Sequence, residues 1–405
     1  MKAKNMKSAP PIQWRQLAAI VLIACFAQLA ADVYAPALPA IARDFRVSIG
    51  QVQLSMAVYM ATLSLSQLGY GPLSDMLGRR RVLALGCLIA MAGSLLAALA
   101  PSIDTLLLAR AIQGAGAGAC AAIWRAVFRD LFSGEALSRY ASYFVVLILF
   151  IMPAAPLIGA YLSHLISWRA NFVFLLGYAL LALAVLHFAF QETQASHHRQ
   201  ALSLSGLWQG YAELLRTRAF LRVALMTFVC YGSYFAWFSM GPVLLTSQYG
   251  QSGVFFGWLT GAGGGLCYGL AAWCNGRLVK QRGLTGMLQL ALACMLAGAL
   301  LMLALSWLPL GLGGLVLALM VYWFGAALVW PNTNALAFSS VGHIAGSAAA
   351  LYGCLQLGGA ACVTQLISLL PHDRLWPLQL LMLTAPLLSW LLLRMARPAA
   401  TAAKP

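Results

Sequence analysis

The sequence predicts an all-α integral membrane protein, with twelve crossing helices in two pseudo-symmetric six-helix bundles. Composition, the recurrence of long apolar runs and the placement of basic residues carry this prediction. Of 405 residues, 62% are hydrophobic and only 8% are charged. A soluble domain carries about 25% charged residues, so this chain has too few to cover a water-facing surface. Its apolar residues recur in blocks of about twenty, the length one helix needs to cross a hydrocarbon core of about 30 Å.

The first six blocks are Leu17–Ile41, Leu54–Leu73, Val82–Ala100, Leu106–Val127, Ala141–Leu162 and Phe172–Phe190. The second six are Leu221–Leu245, Phe255–Trp273, Leu284–Leu305, Leu310–Val329, Ala345–Leu370 and Leu375–Leu393. An even number of crossings puts both termini on one side. Twenty Lys and Arg residues then fall on the side of the termini, including Lys2, Lys4, Lys7 and the run Arg79–Arg81. Arg43, Arg46, Arg169 and Arg374 fall on the other, and Arg110 lies inside a helix. Positive loops stay cytoplasmic, so both termini are expected there, in a bacterial inner membrane. The domain reading is an N-terminal tail 1–16, a bundle 17–190, a linker 191–220, a second bundle 221–394 and a C-terminal tail 395–405. In the linker, Leu204, Leu207, Trp208, Tyr211, Leu214 and Leu215 recur at helical spacing, predicting an amphipathic helix along the membrane surface.

The net charge of +16 is dispersed over short connectors with no aromatic-interleaved basic face, which argues against nucleic acid as a partner. The nine Cys residues lie in or beside apolar blocks without a CxxC pair, so they read as packing residues. The Lys-rich start followed by Leu22-Ile23-Ala24-Cys25 has the look of a lipoprotein signal. The apolar run continues past Cys25, so the block is read as a retained spanning helix.

Asp32 is the one carboxylate deep within a predicted helix, and Arg110 is the one basic residue at similar depth. Asp32 sits about 13 Å from one end of its block and Arg110 about 9 Å from the same membrane face, so the two are expected within about a turn of each other. An intramembrane charge must face a cavity or a partner. Burial favours a neutral carboxyl and a guanidinium favours a charged one, so a moving partner would load and unload a proton. A static ion pair between two helices is the plainer alternative. Polar and aromatic residues at central depth are candidate cavity groups: Gln28, Tyr34, Tyr59, Gln67, Tyr231, Tyr234, Trp237, Asn332, Asn334 and Gln356. For any single ring among them, packing is at least as good an account. No Walker A, HExxH or paired membrane carboxylates occur, so no enzyme, cofactor or metal is expected.

Gly71-Pro72-Leu73-Ser74-Asp75-Met76-Leu77-Gly78-Arg79-Arg80-Arg81 resembles the signature loop of the major facilitator superfamily. Asp32-Val33-Tyr34-Ala35-Pro36-Ala37-Leu38-Pro39 is similar to the first-helix pattern of its Bcr/CflA-type drug:proton antiporters, with Ala35 in place of the usual Leu. Arg110-Ala111-Ile112-Gln113-Gly114 resembles the fourth-helix motif, and Pro153-Ala154-Ala155-Pro156-Leu157-Ile158-Gly159-Ala160 the fifth-helix antiporter motif, with Ala160 replacing a Gly. Asn275-Gly276-Arg277-Leu278 looks like a degenerate second signature loop, and Gly346–Leu351 with Gln356 like the eleventh-helix pattern. The resemblance implies two bundles rocking about a central cavity, with Gly71, Asp75, Gly78, Arg79 and Arg80 as the cytoplasmic gate. It further implies proton coupling at Asp32 and Arg110, and helix bending at Pro153, Pro156 and Gly159. The arginine run is expected to anchor to headgroups. The implied activity is proton-coupled export of small apolar or amphiphilic drugs of the bicyclomycin, chloramphenicol or sulfonamide kind by a monomer that needs only protons, substrate and lipid. A purine or sugar transporter on the same scaffold is the alternative.

Overall fold

The computed structural model describes residues 14–131, 154–193 and 204–395, apart from 306, 309, 310, 340, 342, 343 and 373. The fifth apolar block, with Pro153, therefore lies largely outside the described residues. Every regular element described is helical: α1 (Trp14–Asp32), α2 (Leu38–Phe45), α3 (Ile49–Leu77), α4 (Arg79–Ala98), α5 (Ile103–Leu131), α6 (154–165) and α7 (Trp168–Phe188). After α8 (Leu204–Arg216) come α9 (Arg218–Tyr249), α10 (Gly253–Trp258), α11 (Gly264–Ala304), α12 (Gly311–Phe338), α13 (Ala345–Ser368) and α14 (Trp376–Met395).

Local chemistry sets the breaks. Pro36 has no N–H for the Asp32 carbonyl, so α1 stops, and a 3₁₀ turn at Ala35–Ala37 hands the chain to α2. Ser48 and Gln51 form a reciprocal capping box that starts α3. Gly78, at φ 97°, separates α3 from α4. Between α10 and α11 the chain widens into a π-turn at Leu259–Gly263, in the Gly-rich eighth block.

Nine helical stretches among the described residues are long and apolar enough to cross a membrane. The longest, Gly253–Ala304, has 52 residues and is interrupted at Gly283, φ 66°. Unbroken, it would extend about 78 Å, more than twice a hydrocarbon core, so it holds two crossings. The turn sits at Gly283, beyond the expected second loop at Asn275–Leu278, which remains helical.

Small residues let the helices approach closely. A Cβ on Gly116 of α5 would lie 2.9 Å from the Ala90 Cα of α4, and one on Gly298 of α11 2.9 Å from the Tyr322 Cα of α12. Between the halves, α3 packs along α13. Gln53 Nε2 donates to the Ser239 carbonyl at 2.9 Å and Ser64 Oγ to the Cys354 carbonyl at 2.7 Å. On the face opposite the Gly71–Arg81 loop, Gly257 meets the Pro156 carbonyl of α6, where an added Cβ would stand 3.0 Å away.

The linker helix α8 differs from its expected single apolar stripe. Leu214 is fully buried with Phe220, Val223 and Tyr352, and the Tyr211 hydroxyl donates to the Leu68 carbonyl at 2.9 Å. Burial, aided by nearby Cys354, pushes Tyr211 up to about 12, so it stays a donor at neutral pH. Trp208, 74% exposed, and Leu215, 50% exposed, lie about 100° round the helix from that inner face. Gln209, Glu213 and Arg216 lie about 100° further on. The helix has one face packed on the bundle, one exposed apolar face and one exposed polar face. It bonds to α3 of the first half and packs into the second.

Replacing Gly116 with Val should force α4 and α5 apart and cost about 1–3 kcal/mol of stability. A lowered melting temperature of the detergent-solubilised protein checks this; an unchanged one contradicts the packing account.

Candidate functional site

Asp32 closes α1 and is 4% exposed. Gln28 lies one turn earlier on the same face, and its Nε2 donates to Asp32 Oδ1 at 2.9 Å. The Tyr231 hydroxyl of α9 donates to Gln28 Oε1 at 2.9 Å. A single amide thus joins the buried carboxyl of the first half to the second half. Tyr231 continues into a ring cluster: its centroid is 5.6 Å from Trp330, which meets Tyr234 at 5.1 Å and stacks on Tyr268 at 5.1 Å and 24°.

Arg110 is fully buried, but no ion pair joins it to Asp32 among the described residues. Its guanidinium lies 3.9 Å from the Tyr59 ring centroid, 4.6 Å from Tyr34 and 5.9 Å from Phe172. Nη1 donates to the Ala30 carbonyl at 3.1 Å and to Gln113 Oε1. Gln113 in turn donates to Ser94 at 2.8 Å. Nε and Nη2 have no hydrogen-bond partner among the described residues. The expected depth match holds to the extent that Arg110 reaches α1 at Ala30. The expected pairing does not form: Arg110 meets α1 at Ala30 within the first half, while Asp32 bonds to Gln28, which reaches Tyr231 of α9. Three aromatic faces and a carbonyl take the place of the carboxylate.

The remaining candidates separate into groups. Tyr34, bonded to Ser55 at 2.5 Å, and Tyr59, donating to the Ala27 carbonyl at 2.5 Å, belong to the arginine box. Tyr231 and Tyr234 belong to the ring cluster beside Gln28. Trp237, 1% exposed, donates to Thr260 at 2.9 Å and stacks on Phe256 inside the second half. Gln67 faces α13, where a Cβ on Gly353 would stand 2.6 Å from its Oε1, while Gln356 is partly buried further along that helix. Asn332 donates to Asn275 at 2.7 Å and keeps an unpartnered, buried Oδ1; Asn334 is partly buried two residues on. Gly159 of α6 abuts Val33, whose Cα an added Cβ would approach to 2.9 Å, and Pro156 is buried a turn earlier. Sequence reasoning missed Gln113, Trp330 and Tyr268. Gln113 was legible, three residues after Arg110 on one helix face. Trp330 and Tyr268 looked like any lipid-facing or packing ring.

The Gly71–Arg81 loop is an ionic knot within the first half. Arg79 is 5% exposed and pairs with Asp75 at 2.5 Å and Asp130 of α5 at 3.1 Å. Glu192, after α7, accepts from the Arg79 and Arg80 backbone N–H groups at 2.9 and 3.2 Å, occupying the positive start of α4. Arg80 donates to the His187 carbonyl at 2.7 Å. The expected headgroup anchor is therefore corrected for Arg79, whose charge is used inside the protein; Arg81 is the exposed member of the run.

Residues 20–363 match the family described as Major Facilitator Superfamily. The chain belongs to that superfamily. It is 32% identical to the chloramphenicol resistance protein of Pseudomonas aeruginosa, over 93% of this chain and 90% of that protein. It is 31% identical to multidrug resistance protein D of Escherichia coli, over 90% and 91% of the two chains. The human organic anion transporter MFSD10 (TETRAN) shares the fold, with TM-score 0.69 at 18% identity, covering 96% of this chain and all of that one. These relatives fit the expected resemblance to Bcr/CflA-type members, and the chain is a multi-pass membrane protein of a transporter superfamily.

Replacing Arg79 with Ala should remove both ion pairs and cost about 2 kcal/mol. Thermal unfolding of the purified protein measures this, and an unchanged midpoint contradicts the knot.

Proposed function

We propose that this chain exports small apolar or amphiphilic compounds across the bacterial inner membrane in exchange for protons, with both termini cytoplasmic. The observation that carries the reading is the buried Asp32 carboxyl at the seam of the two halves, bonded through Gln28 to Tyr231 of a ring-rich cluster. The names of its relatives, chloramphenicol resistance protein and multidrug resistance protein D, support a drug as cargo.

Twelve crossings form two halves, 17–190 and 221–394, tied by the linker 191–220, and the halves rock about a central cavity as a monomer. Asp32 carries the proton. Arg110, with no carboxylate partner and two idle donors among the described residues, supplies the field against which Asp32 titrates as the halves move. The knot of Asp75, Arg79 and Asp130, with Gly71, Gly78 and Arg80, gates the cytoplasmic side. Pro156 and Gly159 are where α6 would bend, and Gln67, Asn332, Asn334 and Gln356 line parts of the path with Tyr231 and Tyr234. No cofactor is needed: a potential of 100 mV supplies about 2.3 kcal/mol per charge moved. That sustains roughly a fifty-fold gradient of a neutral compound exchanged for one proton.

Expressing the gene in a drug-sensitive host should raise resistance to a panel that includes chloramphenicol, bicyclomycin and a sulfonamide. In inverted vesicles the same compounds should dissipate a preformed pH gradient. Asp32→Asn should abolish both while leaving the protein in the membrane; a fully active Asp32→Asn removes Asp32 as the proton site. Proton release driven by purines or sugars, with no drug effect, would favour metabolite transport instead. Arg110→Lys keeps the charge but loses the planar fork and ring stacking, and should lower transport about tenfold or more. Wild-type rates in vesicles would contradict a role for the guanidinium.

A further inference from the structure

The link between Asp32 and the second half is one primary amide, whose two ends have opposite hydrogen-bonding character. An amide oxygen only accepts, and an amide nitrogen only donates. As found, Tyr231 O–H donates to Gln28 Oε1 while Gln28 Nε2 donates to Asp32. That polarity suits a charged carboxylate, which only accepts. A protonated Asp32 presents an O–H, and the amide satisfies it by turning over half a turn about its last torsion. Oε1 then accepts from the Asp32 O–H, and Nε2 donates to the Tyr231 oxygen. The proton forms one O–H bond on a carboxylate oxygen, and no other covalent bond changes.

We propose that Gln28 is a polarity switch that converts proton binding at Asp32 into reversal of the Tyr231 hydroxyl from donor to acceptor across the seam between the halves. This rests on the reading of Asp32 as the proton site. Three features favour it. Gln28 is the hydrogen-bond partner of Asp32 among the described residues, and the two groups it joins, Asp32 and Tyr231, are 4% and 7% exposed, so water has little access to the far end of either bond. Besides Arg110, whose guanidinium bonds the Ala30 carbonyl two residues before Asp32, the titratable groups that sense Asp32 from neighbouring helices are phenols: Tyr59 of α3, Tyr231 and Tyr234 of α9, and Tyr268 of α11. No His, Lys or second carboxylate among the described residues competes there. Arg110 is turned into its own ring box.

The switch also specifies cargo chemistry. With Asp32 charged, the Tyr231 hydrogen is engaged and its oxygen is open, so the form that takes up cargo favours a compound presenting an N–H or O–H. With Asp32 protonated, Nε2 occupies that oxygen and such a compound is displaced. Opposed occupancy of this kind is what exchange requires.

Infrared difference spectroscopy of the full chain in lipid vesicles, stepped from high to low pH without added cargo, tests the proposal. The wild type should show a carboxylic C=O band that Asp32→Asn lacks, together with a shifted tyrosine C–O band that Tyr231→Phe lacks. In Gln28→Leu the carboxyl band should persist and the tyrosine shift should vanish, with the amide I band confirming a helical fold. A tyrosine shift that survives in Gln28→Leu, or a wild-type carboxyl band without one, overturns the switch. Absence of the Asp32 band in the wild type overturns the proton site itself. Should Gln28→Leu fail the amide I check, Gln28→Met replaces it, with the same two outcomes.

Discussion

Lipid supplies neither donors nor acceptors, so each polar group within the membrane must be satisfied by the protein itself. The seam between the two halves is where that constraint acts most sharply. Asp32 sits there with one amide for company, and the amide's other end is held by Tyr231 of the second half. A carboxyl so placed is neither a surface charge nor a sealed ion pair. Its hydrogen bond leads through Gln28 to the second half, so under the proposed exchange both motion of the halves and protonation would act on it.

The arginine box shows the same constraint met differently. A guanidinium without a carboxylate is costly in a low-dielectric interior. Here the cost is offset by the ring faces of Tyr34, Tyr59 and Phe172, the Ala30 carbonyl and Gln113. The two idle donors, Nε and Nη2, mark it as incompletely satisfied in this arrangement. A group held short of full bonding is one for which another arrangement competes, and that is the requirement for a molecule that alternates between states.

The Gly71–Arg81 knot and the linker helix tie separate elements together through local bonds. Arg79 binds the end of α3 to α5 through Asp75 and Asp130, and Glu192 fastens the start of α4 to the chain leaving α7. The loop is therefore bonded into the first half. Helix α8 bonds to Leu68 through Tyr211 and packs Leu214 into the second half, leaving Trp208 for lipid. The helix is thus a strap bonded to one half and packed into the other.

The sequence by itself determined the all-helical membrane class, the spacing of crossings, the seats of the signature motifs and the identity of the two deep charges. These follow from local quantities: the length of apolar runs, the lost donor at Pro36, the positive φ open to Gly78. The helices extend a turn beyond several apolar blocks, as α3 and α5 do, because polar ends remain helical where water and headgroups begin. Tertiary structure alone decided that Arg110 stacks on rings instead of meeting Asp32, that Arg79 is buried in ion pairs, and that Trp237 packs while Trp330 and Tyr268 gather beside Tyr231. Each depends on the rotation of one helix about its axis relative to another. In an apolar run with no polar face to fix that rotation, no residue spacing specifies it, and only packing of small against large side chains does.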